Sequence, residues 1–195
     1  MSPSKKEAAK KVSADGWTFH VPAAVFVFAV FMGIALFPYA GFVSGLLGQA
    51  YEGLVRQNDP FWNALRIFAR NIKATLVIGA AGLIVPGMSL LLLAVNGFVV
   101  GYAIRLVADK GMPLLKIAGG VLPHAFLEVL ALIITAELTL RFWLAVIRPR
   151  KLRRRDSAYA AAKKAALRYA TVVLPLLFAS AFVEAYVSAW FLGLN

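Results

Sequence analysis

The sequence predicts an all-α, polytopic membrane protein of about five transmembrane segments, with a broken hairpin and amphipathic interfacial helices. Three observations carry this. The chain of 195 residues is 61% hydrophobic and only 15% charged, whereas a soluble domain is roughly 45–50% apolar and about 25% charged. Its charges are clustered: 26 of 30 fall in residues 1–20, 43–73, 105–116 and 148–168, outside which stand only Glu128, Glu137, Arg141 and Glu184. Between the clusters lie uncharged runs long enough to cross a bilayer. This pattern does not fit a soluble globule, a disordered chain or a coiled coil.

Other bulk features narrow the function. The net charge is +12, yet nine of the 21 basic residues lie between Arg148 and Arg168. A basic cytoplasmic segment facing anionic lipid accounts for that without nucleic acid. With no cysteine, disulfides, thiol catalysis and thiolate metal sites are excluded. His20 and His124 are the only histidines, too few for a multi-imidazole site, and no metal or other cofactor is expected.

The elements follow in chain order. Residues 1–20, with Lys5, Lys6, Lys10 and Lys11, read as a cytoplasmic tail. Residues 21–42 form the first span, longer than a signal-peptide core and followed by no clear cleavage site, with Pro22 near the first helical position. Residues 43–71 read as outer amphipathic helices. In the first, Leu46, Leu47, Ala50, Tyr51, Leu54 and Val55 recur at helical spacing. Asn58-Asp59-Pro60 then caps a second, whose apolar stripe is Phe61, Leu65, Phe68 and Ile72 and whose polar stripe is Asn63, Arg66, Arg70 and Lys73.

Residues 74–104 carry no charge over 31 positions, too many for one span of about 20 and few for two. Gly79, Gly82, Pro86 and Gly87 mark a break around 83–87. Parity settles the choice between one tilted helix and a hairpin. Lysines at the N-terminus and the basic 148–168 loop both belong in the cytoplasm, so an even number of crossings separates them. Residues 72–107 are therefore a helical hairpin, either fully crossing or re-entrant. Residues 117–147 form the fourth span and 170–192 the fifth, which places the C-terminus outside.

Ionisable groups at bilayer depth cost roughly 2.5–3.5 kcal/mol on insertion scales, so each needs a partner or a purpose. His124 and Glu128, four residues apart, stack on one helix face. The pair reads as a structural lock, as a proton or ion switch, or as part of a metal or catalytic site. It makes only half a zinc site, and the HExxH spacing is absent. Glu137 and Arg141 share the same spacing, but nine residues separate the two glutamates, which is half a turn after whole turns. The second pair therefore faces the opposite side and reads as a plain ion pair snorkelling near the cytoplasmic end. Asn71 and Asn96 are expected to hydrogen-bond across helices. Gly97 and Gly101 permit close helix approach, to a neighbour in the chain or to a second copy. Glu184 needs a partner from another helix.

The segment 67–141 resembles the stage II sporulation protein M family of integral membrane proteins. The resemblance rests on Ile67-Phe68-Ala69-Arg70-Asn71-Ile72-Lys73, on Asn96-Gly97-Phe98 with Gly101, and on Leu122-Pro123-His124-Ala125-Phe126-Leu127-Glu128, similar to the family's Pro-His-Gly-x-x-Glu element. Ala125 stands where the family pattern favours glycine, and Glu137 where a small or apolar residue is more usual. The resemblance implies about five spans and recurring polar positions at Asn71, Asn96, His124 and Glu128. The family's namesake works with cell-wall hydrolases during engulfment in spore-forming bacteria; relatives also occur in organisms that do not sporulate.

No nucleophile–base–acid set, phosphate loop or metal quartet is present in the sequence. The expectation is a non-enzymatic membrane scaffold that recruits partners through its outer amphipathic region and its basic loop. The bilayer, a second copy and other membrane or cell-envelope proteins are the expected partners, and nucleic acid is not. The alternatives are a channel or transporter using His124–Glu128, and an intramembrane hydrolase with Glu128 as general base.

Overall fold

A computed structural model describes residues 5–41, 43, 45, 59–111, 113–147 and 154–188. They form helices with no strand among the described residues: α1 (Lys5–Ala35), α2 (Pro60–Ile84), α3 (Met88–Asp109), α4 (Leu114–Ile147) and α5. The last is a continuous rod of α-helical Arg154–Arg168 and Leu174–Phe182, with wide π-type turns at Tyr169–Val173 and Val183–Ser188. Each of the five contains a stretch long and apolar enough to cross a membrane.

Several boundaries differ from the sequence reading. The tail and first span are one helix from Lys5, so Pro22 lies inside α1 rather than at its start. The expected second amphipathic helix and the first hairpin arm are likewise one helix, α2, of 25 residues. The cap is as expected: the Asp59 carboxylate accepts from the Phe61 N–H at 2.8 Å, with Pro60 in the first position. Three cations spaced at Arg66, Arg70 and Lys73 gave residues 60–73 an interfacial pattern, although the helix continues unbroken into the apolar run. The expected amphipathic helix around Leu46–Val55 lies outside the described residues. The hairpin break falls at residues 85–87, where Gly87 takes φ +81°, a conformation that L side chains avoid. The basic segment is less a loop than a helix, since Arg154–Arg168 runs directly into the last span.

Contacts fix the direction of every helix. Along α2 and α4, Asn71 meets Glu128, Gly79 faces Thr135 and Gly82 faces Thr139, so these two run parallel. α3 runs opposite, with Ser89 on Thr139 and Leu93 in the cluster of Ile133. α1 runs with α3, since Phe26 abuts Gly97 and Val30 abuts Gly101. α5 is antiparallel to α4, meeting it at Ser157–Ala145, Arg168–Glu137 and Ser180–Glu128. The five helices thus alternate in direction, and the start of α1, the α2–α3 turn, the end of α4 and the start of α5 share one end of the bundle.

Glycine makes α1 and α3 a tight pair. A Cβ on Gly33 would strike the carbonyl oxygen of Phe98, and one on Gly101 that of Val30; on Gly97 it would lie 2.7 Å from the carbonyl oxygen of Phe26. The GxxxG pair is thus occupied within the chain, and Gly33 completes it from the opposite helix. Without a hydrophobic force between helices in lipid, such close backbone approach supplies the dispersion energy of association. Gly101→Ala should therefore destabilise the purified protein by about 1–3 kcal/mol, an overpacking cost. Gly16→Ala, with nothing within 4 Å of its Cβ, should raise stability by up to about 1 kcal/mol through helix propensity. Thermal unfolding in detergent measures both, and equal shifts would contradict the packing.

Candidate functional site

Helix α4 carries the polar groups that join the bundle. Toward its N-terminal half, the Asn71 Nδ2 of α2 donates to Glu128 Oε1, and the Ser180 hydroxyl of α5 donates to the same oxygen at 2.9 Å. One carboxylate oxygen therefore ties three helices together. His124 stands one turn before Glu128, half-buried. The Thr75 hydroxyl lies 2.7 Å from the Tyr169 hydroxyl, joining α2 to α5 again. Aromatic rings continue that seam, with Phe68 edge-on to Phe178 at 5.5 Å and Phe61 to Phe182 at 6.2 Å.

The second carboxylate lies deeper. Glu137 is 1% exposed. Its Oε1 accepts from Arg141 Nε at 2.8 Å and faces Arg141 Nη2 at 2.7 Å, while the Thr18 hydroxyl of α1 donates to it at 3.5 Å. Arg168 Nη2 of α5 stands 3.6 Å from Oε2, an oxygen with no hydrogen bond among the described residues. The pair expected to be a plain snorkelling ion pair is thus part of a buried hub joining α1, α4 and α5. Arg141 and Arg168 keep 33% and 40% of their side chains exposed, so they are far less buried than the carboxylate they meet.

A third link joins the hairpin. Ser89 and Thr139 hydroxyls lie 2.6 Å apart, and the Trp143 indole N–H donates to the Gly82 carbonyl at 2.9 Å. The arrangement on α5 has a local cause. Pro175 lacks an N–H, and the turn before it widens so that the Leu174 N–H reaches the Tyr169 carbonyl. Such insertions are the usual way a helix absorbs a disruption. Arg168 and Tyr169, which meet Glu137 and Thr75, border or begin that widened turn.

Of the residues singled out in the sequence, the structure joins Asn71 directly to Glu128. Asn96 makes a different bond: its Nδ2 donates to the Leu92 carbonyl of its own helix at 2.9 Å. Of the four positions expected to form one buried polar cluster, Asn71, Asn96, His124 and Glu128, a hydrogen bond thus joins Asn71 to Glu128, while the Asn96 amide N–H is spent on its own helix. Glu184 lies on the second wide turn of α5, which packs against α2 and α4. Thr18, Thr75, Ser89, Thr139, Tyr169 and Ser180 were not anticipated. A hydroxyl can bond its own helix backbone, as Thr75 does to the Asn71 and Ile72 carbonyls, so it raises no alarm in an apolar span.

These seams define a multi-pass helical membrane protein in which the carboxylates of α4 are tied to neighbouring helices. A family model described as Stage II sporulation protein M matches residues 22–189, most of the chain, and the chain belongs to that family. The match reaches well beyond the 67–141 segment in which the resemblance is legible. No curated protein matches this chain, and no solved structure does.

The hub predicts an asymmetry. Replacing both Arg141 and Arg168 by Gln strands a buried carboxylate, at a cost of about 3–5 kcal/mol. Glu137→Gln leaves two arginines that are part-exposed, and should cost only about 1–3 kcal/mol. Thermal unfolding of the two variants checks the order; a reversed order would mean that the arginines rather than the carboxylate are the buried partners.

Proposed function

We propose that this chain is a non-enzymatic membrane scaffold that holds other membrane or cell-envelope proteins in place. The N-terminus and the basic 148–168 segment lie in the cytoplasm and the C-terminus outside. The observation that carries the reading is the state of Glu128. Its Oε1 is taken by Asn71 and Ser180 from two other helices, the arrangement of a lock rather than of a carboxylate offered to a passing ion. Glu137 supports the same reading, because its partners come from α1, α4 and α5. The orientation is supported by helix alternation, which brings the start of α1 and the basic Arg154–Arg168 start of α5 to the same end of the bundle, as the positive-inside rule requires. Because Gly97 and Gly101 are used within the chain, a homodimer would form through another face.

Two measurements test the reading. Purified protein in proteoliposomes should pass protons and monovalent ions no faster than empty vesicles. Cross-linking in native membranes should return a reproducible set of partner proteins. A flux that disappears in the His124→Ala, Glu128→Gln double variant would replace the scaffold with a transporter. The absence of any reproducible partner would remove the scaffold role itself.

A further inference from the structure

The outward face of α2 carries cations along a helix apolar enough to span a membrane. Arg66, Arg70 and Lys73 recur at helical spacing and are all exposed. Phe68, Asn71 and Thr75 point the other way, into α4 and α5. Arg66 is engaged in an interaction already. Among the described residues, the side chains of Arg70 and Lys73 meet no carboxylate and make no hydrogen bond.

Their depth follows from the register of the bundle. Asn71, between them, is level with Glu128, and Thr75 is level with Tyr169. At that level and beyond it toward the start of α2, the neighbouring helices turn apolar side chains outward, among them Phe126 (69% exposed) and Phe178 (47%). If Lys73 stood in water, those rings would stand in water too. Lys73 is eleven residues from Ile84, roughly 17 Å along the helix, or about half of a 30 Å hydrocarbon layer. Snorkelling serves cations near helix ends; Lys73 is near the middle.

Cations at this depth face a bundle interior, a wet cavity or a partner, and these two face outward. The chain itself has no carboxylate to spare for them within the spans. Glu137 is buried against arginines, Glu128 is tied to Asn71 and Ser180, and Glu184 is engaged. A second copy would bring the same occupied groups. We propose that Arg70 and Lys73 dock a transmembrane helix of a different protein that carries an Asp or Glu at matching depth. Around them Ala69 and Ala80 lower the surface for close helix approach, and Leu76 and Val77 supply apolar contact; all four are exposed. This names the partner chemistry for the scaffold role and rests on that role.

The test uses the whole protein. Because the chain has no cysteine, Tyr159→Cys, at an exposed position on α5 outside the docking face, gives a single site for a donor dye. The labelled protein is reconstituted in phosphatidylcholine vesicles with an acceptor-labelled leucine–alanine transmembrane peptide bearing one central Glu, or Gln in its place. Energy transfer to the Glu peptide should appear at about tenfold lower peptide density than to the Gln peptide, near the upper range of measured interhelical polar couplings. The Arg70→Gln, Lys73→Gln variant should lose that preference while keeping its unfolding midpoint. Equal transfer to both peptides, or a preference that survives in the variant, would overturn the proposal. So would labelled phosphatidylglycerol that collects at the face in an Arg70- and Lys73-dependent manner and displaces the Glu peptide, since the occupant would then be a lipid headgroup. If the peptide shows no preference but native-membrane cross-linking still returns partners, docking lies on another face and the scaffold role stands.

Discussion

A carboxylate inside hydrocarbon needs partners at its own depth, and the carboxylates of α4 find theirs on neighbouring helices. Glu128 reaches α2 and α5, Glu137 reaches α1 and α5, Thr139 reaches α3, and Trp143 reaches α2. Each link alone is modest, because interhelical hydrogen bonds in membranes average about 0.6 kcal/mol. Their weight lies in the alternative: a carboxylate left without partners at that depth costs several times as much. The links therefore act less by pulling helices together than by rejecting arrangements in which α4 is rotated or shifted.

The two halves of the bundle solve the association problem differently. α1 and α3 meet through backbone, with Gly33, Gly97 and Gly101 removing the side chains that would separate them. α2, α4 and α5 meet through hydroxyls, carboxylates and aromatic rings. Glu137 bridges the halves, since Thr18 belongs to the glycine-packed pair and Arg168 to the polar one. The widened turn before Pro175 lies beside Arg168 and Tyr169, so an irregularity forced by one proline coincides with two cross-links.

How much of this was legible in the sequence differs by residue. The membrane class, the break at 85–87 and the Asp59 cap follow from charge, glycine and capping patterns, all local signals. The fate of residues 60–73 was not legible, because a cationic stripe on a helix reads the same whether it faces headgroups or another protein. Glu137 with Arg141 looked like an ordinary i,i+4 bridge because Thr18 and Arg168 are distant in sequence. Asn96 looked like a cross-helix donor, yet its own helix offers the Leu92 carbonyl, and only packing decides between them. Ser180 lies between Ala179 and Ala181, where a hydroxyl passes as one more small residue.

These particulars converge on a bundle held in one arrangement by carboxylates that are tied to other helices. The most direct measurement is a double-mutant cycle between Asn71→Ala and Glu128→Leu, read by reversible unfolding in mixed micelles. The account predicts a coupling of about 1 kcal/mol, within the range known for polar contacts between membrane helices. Additive effects, with no coupling between the two positions, would contradict it.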